Sequence, residues 1–155
     1  MGIERSLKEV EVMALQLDPP VVMAAAATVR EVIVELCQRG EGCALLTDSG
    51  YLVGIFTERD VLQKVLGITG ALEQPVSALM TRDPVCVKRH DPIRFALFRI
   101  QQGGFRHLPI VDDEHRVVGC IRHKDLGRYV ARHFPDRLLN LPPDPEQIAR
   151  QPEGG

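Results

Sequence analysis

The chain carries the same pattern of residues twice, 65 positions apart. GIFTERD (54–60) is matched by GCIRHKD (119–125), and each segment follows a run of apolar residues. Glycine and aspartate are kept at the two ends, whereas Thr57 of the first copy becomes Arg122 in the second. The same offset aligns DPPVVMAAAATVREVIVEL (18–36) with DPVCVKRHDPIRFALFRI (83–100). The match indicates one small folding unit used twice.

Each copy predicts the element order β-α-β-β-α. In the first copy, apolar residues at i, i+3, i+4 and i+7 from Val29 predict an amphipathic helix that ends at Gly40. Turn residues such as Asp48-Ser49-Gly50 separate two β-rich runs and predict a hairpin. The predicted strands and closing helices of both copies are strands at 21–23 and 85–88, hairpins at 44–47 with 51–56 and at 108–111 with 116–121, and helices at 59–66 and 124–133.

One unit alone has too small a core to be stable, and two units packed sheet to sheet remove that problem. We therefore predict an α/β fold in which two pseudo-symmetric repeats form one module. The predicted segments are a lead-in helix at 1–17 that completes the first unit, repeat 1 at 18–67, a linker and lead-in helix at 68–82, repeat 2 at 83–134, and a proline-rich, partly disordered tail at 135–155.

Composition excludes several classes of function. A net charge of −2 gives no overall attraction to nucleic acid or to an anionic membrane, and the basic face near the last helix is interpreted as solvated. The apolar run at 21–29 is too short to span a bilayer, and the first residues do not resemble a signal peptide. Four cysteines without a CxxC motif are interpreted as buried free thiols. We expect a cytoplasmic protein without nucleic-acid or membrane partners.

Chemical motifs of enzymes and metal sites are missing from the sequence. The five histidines show no metal-ligand spacing, so no metal is expected. There is no G-x-S-x-G, H-E-x-x-H or P-loop pattern, so we expect no catalytic residues and no enzyme.

The repeat resembles the cystathionine β-synthase (CBS) domain, and the pair resembles a Bateman module. LMTRDPVCV (79–87), FRHLPIVDD (105–113) and GIFTERD carry the resemblance, which covers about 11–134. Similar proteins bind adenosine-containing ligands between the two halves and thereby regulate another activity. The resemblance implies AMP, ADP or ATP as a regulatory ligand, no required cofactor, a homodimer, and an unknown protein target in trans.

GIFTERD has a chemical interpretation of its own. Glycine at a strand end permits close approach, and Thr57 at a helix start suits a phosphate. The carboxylate of Asp60 suits the hydroxyls of a ribose. The competing interpretation is a capping box, [ST]-x-x-[DE]. Asp125 is retained where Arg122 cannot complete such a box, so we favour the ribose role for Asp60.

The resemblance assigns residues to two clefts by position. The first cleft comprises Thr57, Arg59, Asp60, Met80, Asp83, Val85, Phe105, Arg106 and His107. The second comprises Gln16, Val21, Gly42, Cys43, Ala44, Arg122, Lys124 and Asp125. It departs from the family pattern, because Arg122 replaces threonine and Leu45 stands where the other copy has Pro109. Arg122 either fills this cleft or reaches outward to a phosphate.

Two alternatives remain open at the level of sequence. A CBS pair with empty clefts would be a scaffold for dimerisation or partner binding. A different adenosyl ligand, S-adenosylmethionine or NAD, would use the same recognition of adenine and ribose.

Overall fold

The computed structural model describes residues 8–133. Its elements, in chain order, are β1 (Val21–Ala24), α1 (Val29–Arg39), β2 (Cys43–Asp48), β3 (Tyr51–Thr57), α2 (Glu58–Asp60, continued by a π-helical turn at Val61–Val65), β4 (Thr81–Arg82), β5 (Val87–Lys88), α3 (Ile93–Gly103), β6 (His107–Val111), β7 (Val117–Arg122) and α4 (His123–His133). Short 3-10 turns lie at Val12–Ala14, Ala71–Glu73 and Val76–Ala78.

The strands form one sheet per repeat. The first has the order β1-β2-β3-β4 and the second β5-β6-β7. In both, the first two strands are parallel and the next pair is an antiparallel hairpin. Cys43 pairs with Thr57 in the first hairpin, and His107 pairs with Arg122 in the second. This shared register confirms the predicted pair of pseudo-symmetric α/β repeats.

The ends of the main helices follow from local sequence. The hydroxyl of Thr28 accepts the backbone N–H of Glu31 at 3.1 Å and caps the start of α1. Gly40 ends α1 with φ 65°, and Gly104 follows α3 with φ 64°. Glycine adopts this left-handed conformation without the steric cost that a Cβ imposes. The predicted stop at Gly40 is confirmed, and Gly104 has the equivalent role after α3.

The two repeats meet through a central apolar cluster. Its buried members come from both hairpins and comprise Cys43, Leu45, Leu52, Ile55, Val111 and Cys120. At the hairpin turns, the N–H of Leu52 donates to the carbonyl of His115 at 3.0 Å. The guanidinium of Arg116 lies 4.9 Å from the ring centroid of Tyr51. The repeats therefore share one core.

The N-terminal segment differs from its prediction. Within the described residues, the α-helix at the start covers only Lys8 and Glu9. The carbonyl of Val10 accepts the N–H of Ile93, and the N–H of Val12 donates to Asp91. These bonds use the backbone groups that a helix would need. Val12 packs into the core of the second repeat, so the prediction that this segment completes the first unit is wrong.

The segment before the second repeat packs on the first repeat. The predicted helix at 68–82 is replaced by two 3-10 turns and β4. Gly70 with φ 79° and Pro75 interrupt any longer helix. Val76 and Met80 pack into the core of the first repeat, and β4 adds a fourth strand to its sheet. Each lead-in segment thus completes the other repeat.

Three further expectations have mixed outcomes. Cys37 is exposed and Cys86 is half-buried, so the prediction of four buried thiols is wrong for these two. Cys43 and Cys120 are buried as expected. The predicted tail at 135–155 lies outside the described residues. Across residues 8–133, no helix is long and apolar enough to cross a membrane.

Candidate functional site

Asp60 lies at the start of α2, immediately after β3, and is only 5% exposed. Its Oδ2 accepts the backbone N–H of Thr57 at 2.9 Å and the Thr57 hydroxyl at 3.3 Å. Its Oδ1 lies 2.9 Å from Nζ of Lys64. The carboxylate therefore caps α2, as the competing interpretation expected. These bonds use about three of its four lone-pair sites and leave little unused acceptor capacity.

Asp125 has the equivalent position at the start of α4 and is 4% exposed. Its Oδ2 accepts the backbone N–H of Arg122 at 2.8 Å. This half of the cap needs no threonine, because the donor is the backbone. The inference that Asp125 has lost its capping role is wrong, so its retention alone does not indicate ligand binding.

The second oxygen of Asp125 is different. Among the described residues, Oδ1 of Asp125 is a buried side-chain atom without a hydrogen-bond partner. An unpaired buried acceptor costs free energy, since it has lost water without gaining a donor. A donor supplied by a ligand hydroxyl would remove that cost.

Arg122 fills part of the second cleft. Its guanidinium contacts three carboxylates: Asp18 through Nη2, Glu41 through Nη1 at 3.3 Å, and Asp125 through Nε at 3.4 Å. The side chain is 15% exposed. Burial disfavours its charge, but the bond to Asp18 and the other carboxylates outweigh burial and raise the pKa of Arg122. Of the two predicted orientations, Arg122 adopts the inward one.

A cavity lies between the two repeats beside Arg122. It is lined by Pro20, Val21, Glu41, Cys43, His107, Cys120 and Arg122. Three of the residues assigned to the second cleft, Val21, Cys43 and Arg122, therefore lie around one space. His107, assigned to the first cleft, lines the same cavity. Both repeats contribute to its wall.

His107 is held neutral by its surroundings. Burial is the largest cause that lowers its pKa, and the nearby charge of Arg122 lowers it further. Glu41 and Glu58 oppose this effect with smaller contributions. A neutral imidazole offers one donor and one acceptor to a ligand in the cavity.

The remaining residues assigned to the first cleft each have contacts of their own. Met80 packs over Gly54, where an added Cβ would lie 2.3 Å from its Sδ. The close approach that the glycine permits is thus used by Met80. The N–H of Asp83 donates to the carbonyl of Val53 at 3.2 Å. Val85 packs against the core of the second repeat, and Phe105 lies over Gly103. The carbonyl of Arg106 accepts the backbone N–H of His123. Arg59 is exposed.

The other residues of the second cleft are arranged around α4 and β2. Oε1 of Gln16 accepts from Arg132 at 2.8 Å. The carbonyl of Gly42 accepts the N–H of Glu58 at 3.1 Å. Ala44 is fully buried and pairs with Val21. Lys124 is exposed, and its charge contributes to the lowered pKa of Asp18. These contacts place Gln16 and Lys124 at the rim.

Sequence reasoning missed four residues with charged or thiol groups at the site, and Pro20 in the cavity wall. Lys64 had a detectable signal, because its i,i+4 spacing from Asp60 predicts an ion pair. Asp18, Glu41 and Cys120 had none, since only the packing of one repeat on the other brings them to Arg122 and the cavity. Residues 8–133 contain no group of three or more metal-binding side chains.

Comparison with known proteins agrees with this architecture. Residues 11–67 and 76–132 both match the model of the CBS domain. The chain belongs to the CBS-domain family. The curated relatives include a CBS domain-containing protein of Arabidopsis thaliana, 34% identical over 114 residues. That alignment covers 72% of this chain and 20% of the relative, so the chain spans about a fifth of the length of such relatives.

Solved CBS-domain structures have the same fold. A CBS domain protein from Pyrobaculum aerophilum, complexed with AMP, is 28% identical with a TM-score of 0.68, covering 75% of this chain and 89% of that one. A protein from Agrobacterium tumefaciens is also 28% identical, with a TM-score of 0.67 and coverages of 77% and 98%. A CBS domain pair in complex with 5′-methylthioadenosine and S-adenosyl-L-methionine has a TM-score of 0.70 at 22% identity, covering 79% and 97%; that likeness concerns the fold alone.

Proposed function

We propose that this chain is a non-catalytic regulatory module that binds an adenine nucleotide between its two CBS repeats. The observation that carries the proposal is the unpaired, buried Oδ1 of Asp125. Asp125 contacts Arg122, which lines a small cavity between the repeats that a nucleotide would have to widen. A ligand in such a cleft contacts both halves at once. It can therefore shift their relative arrangement by its difference in affinity for the two states.

The chemistry of the two aspartates supports recognition of a ribose. Each is buried at the start of a helix, and each follows a strand that faces the opposite repeat. Asp125 has one buried oxygen without a donor, and a ribose hydroxyl that reached it would supply one. Asp60 accepts such a donor only if Lys64 moves aside or shares the carboxylate. The second cleft, which departs more from the family pattern, thus has the more available acceptor.

The charged side chains of the two clefts favour different ligands. Three carboxylates surround Arg122, so a phosphate there would have to displace Asp18 or Glu41 from the guanidinium. Thr57 and Lys64 offer a hydroxyl and an ammonium that contact one carboxylate, that of Asp60, so a phosphate there competes with fewer negative charges. A phosphate is therefore favoured in the first cleft. An adenosyl ligand without net negative charge, such as S-adenosylmethionine, is better suited to the second.

A scaffold without nucleotide is the competing proposal, and Arg122 is the observation that favours it. Its ion pairs with Asp18 in the lead-in of repeat 1 and with Glu41 link the two repeats while partly filling the second cleft. In that case the module would serve dimerisation or partner binding with its clefts closed.

Thermal unfolding against a panel of ligands separates these proposals. AMP, ADP, ATP, S-adenosylmethionine and NAD are each added to the wild-type chain and to Asp60→Asn and Asp125→Asn. A ligand at 100 times its Kd stabilises by about 2.7 kcal/mol. For a domain of this size we expect an increase in Tm of roughly 5–10 °C. We expect the shift to be lost in one of the two variants. Each substitution removes the negative charge and replaces one acceptor oxygen by an NH2 donor.

Asp113→Asn is the matched control, because Asp113 is an exposed aspartate in the turn before β7. It must retain the full shift. If none of the five ligands changes the Tm of the wild type, the nucleotide proposal is wrong and the scaffold is supported. A shift with S-adenosylmethionine or NAD alone would replace the nucleotide by that ligand.

We also propose that the module is a homodimer that acts on a protein target in trans. Large apolar side chains are exposed on and after α2, at Leu62, Leu66 and Ile68, and on α3, at Phe95 and Phe98. Such exposure on helices is typical of surfaces that another protein covers. Sedimentation of the same samples as a 17.3 kDa monomer at all concentrations would contradict the dimer.

A further inference from the structure

Two cysteines from different repeats face each other across the centre of the module. Cys43 begins β2 and Cys120 lies in β7, and each is 8% exposed. Both belong to the central cluster and both line the cavity. The neighbouring Cys120 thiol and burial both raise the pKa of Cys43. The two sulfur atoms are therefore close while belonging to separate sheets.

The repeat itself does not produce this pair. In strand register, Cys43 corresponds to His107, because they pair with the equivalent residues Thr57 and Arg122. Cys120 corresponds in the same way to Ile55, since Cys120 pairs with Pro109 and Ile55 pairs with Leu45. The pseudo-symmetric side of the module thus has histidine and isoleucine where this side has two thiols.

We propose that Cys43 and Cys120 form a reversible disulfide between the two repeats when the protein meets a peroxide. The thiolate of Cys120 attacks one peroxide oxygen, forms an S–O bond, and releases water after protonation. The Cys43 sulfur then attacks the resulting sulfenic sulfur and expels a second water. Overall, two thiols and one hydrogen peroxide give one disulfide and two water molecules.

The geometry supports this order of steps. Because burial and the neighbouring thiol raise its pKa, Cys43 keeps its proton and is assigned the second step, the attack on the sulfenic sulfur. The cavity that both residues line has room for a water-sized molecule, and hydrogen peroxide is only slightly larger. Both side chains belong to one apolar cluster and line one small cavity, so the S–S bond would close by movement of the two side chains toward each other.

The disulfide would fix the relative position of the repeats. It would join β2 of one sheet to β7 of the other and close a loop of about half of the chain, which restricts the unfolded state. Its formation does not depend on any nucleotide. Only the further consequence, an altered ligand affinity of the cavity between Cys43 and Cys120, rests on the proposed function.

Peroxide treatment of the reduced full-length chain tests the proposal. Free thiols are then blocked by alkylation, and digestion without reductant is followed by mass spectrometry. We expect a cross-linked pair of peptides that carry Cys43 and Cys120. We also expect a higher Tm in the oxidised protein, which returns to its starting value with dithiothreitol.

Cys37→Ser is the matched control, because Cys37 is exposed on α1. It must keep both the cross-link and the shift in Tm, whereas Cys43→Ser and Cys120→Ser must lose both. Because the cross-link is mapped in the wild type, the result does not depend on how the variants fold. A link from either residue to Cys86 or Cys37 instead, or two fully alkylated thiols after peroxide, would overturn the proposal.

Discussion

At the scale of single residues, the two buried aspartates carry both a structural and a binding role. Asp60 and Asp125 each accept the backbone N–H three residues earlier, so either one stabilises the start of its helix without any ligand. From the Thr57 spacing, the sequence indicated this cap at Asp60 as the competing interpretation, whereas the ribose role was favoured. It did not predict the cap at Asp125, because the backbone donor is not visible in a residue pattern.

His107 gives a pH prediction at the same scale. Arg122 and Arg106 lower its pKa in addition to burial, and Glu41 and Glu58 raise it by less. Below the unfolded pKa of about 6.5, the unfolded chain binds a proton that the folded chain does not bind. The free energy of unfolding therefore decreases as the pH is lowered. We expect His107→Gln to cost less free energy of unfolding at pH 5.5 than at pH 7.5, measured by urea titration.

The comparison between wild type and variant isolates the histidine. Carboxylates with lowered pKa, such as Asp18 and Asp112, lose their contribution at lower pH in both proteins, so their effect cancels. A cost of His107→Gln that is constant with pH, or larger at pH 5.5, would contradict the neutral, buried imidazole.

At the scale of elements, the sequence predicted what depends on neighbouring residues. The hairpins, α1 and α3 follow from apolar periodicity and from Gly40 and Gly104, and all four are present. The two lead-in segments were predicted wrongly, because their partners lie in the other repeat. Val12 is buried against α3, and Met80 against β3, so tertiary contacts decide their conformation.

The two equivalent glycines give a matched pair of variants. An added Cβ at Gly54 would lie 2.3 Å from Sδ and 2.8 Å from Cγ of buried Met80, so the packed side chain must move. At Gly119 the nearest atoms are at 3.5 and 3.6 Å, which is an ordinary contact. We expect Gly54→Ala to destabilise by about 1–3 kcal/mol. Gly119→Ala is expected to be neutral or slightly stabilising, since glycine weakens strands.

Urea unfolding of both alanine variants measures this difference. An equal cost at Gly54 and Gly119 would mean that the two repeats pack alike behind β3 and β7. The close packing of Met80 on Gly54 would then be contradicted.

At the scale of the whole molecule, the repeats are joined in three ways. Each lead-in segment packs into the opposite repeat, the central cluster combines both hairpins, and Arg122 connects carboxylates from both halves. A ligand between the repeats therefore acts on a connected body and not on two independent domains. The sequence predicted the pairing of the repeats, whereas the cavity and the cysteine contact arise only when the sheets pack together.

The most direct test of the account is a titration of ¹⁵N-labelled chain with AMP, followed by amide chemical shifts. We predict saturable changes on both sides of the cleft, at 41–44 and 57–60 in the first repeat and at 106–109 and 120–125 in the second. Ribose 5-phosphate, which lacks the base, should cause smaller changes at equal concentration. Changes confined to one repeat, or no change at millimolar AMP, would contradict nucleotide binding between the repeats.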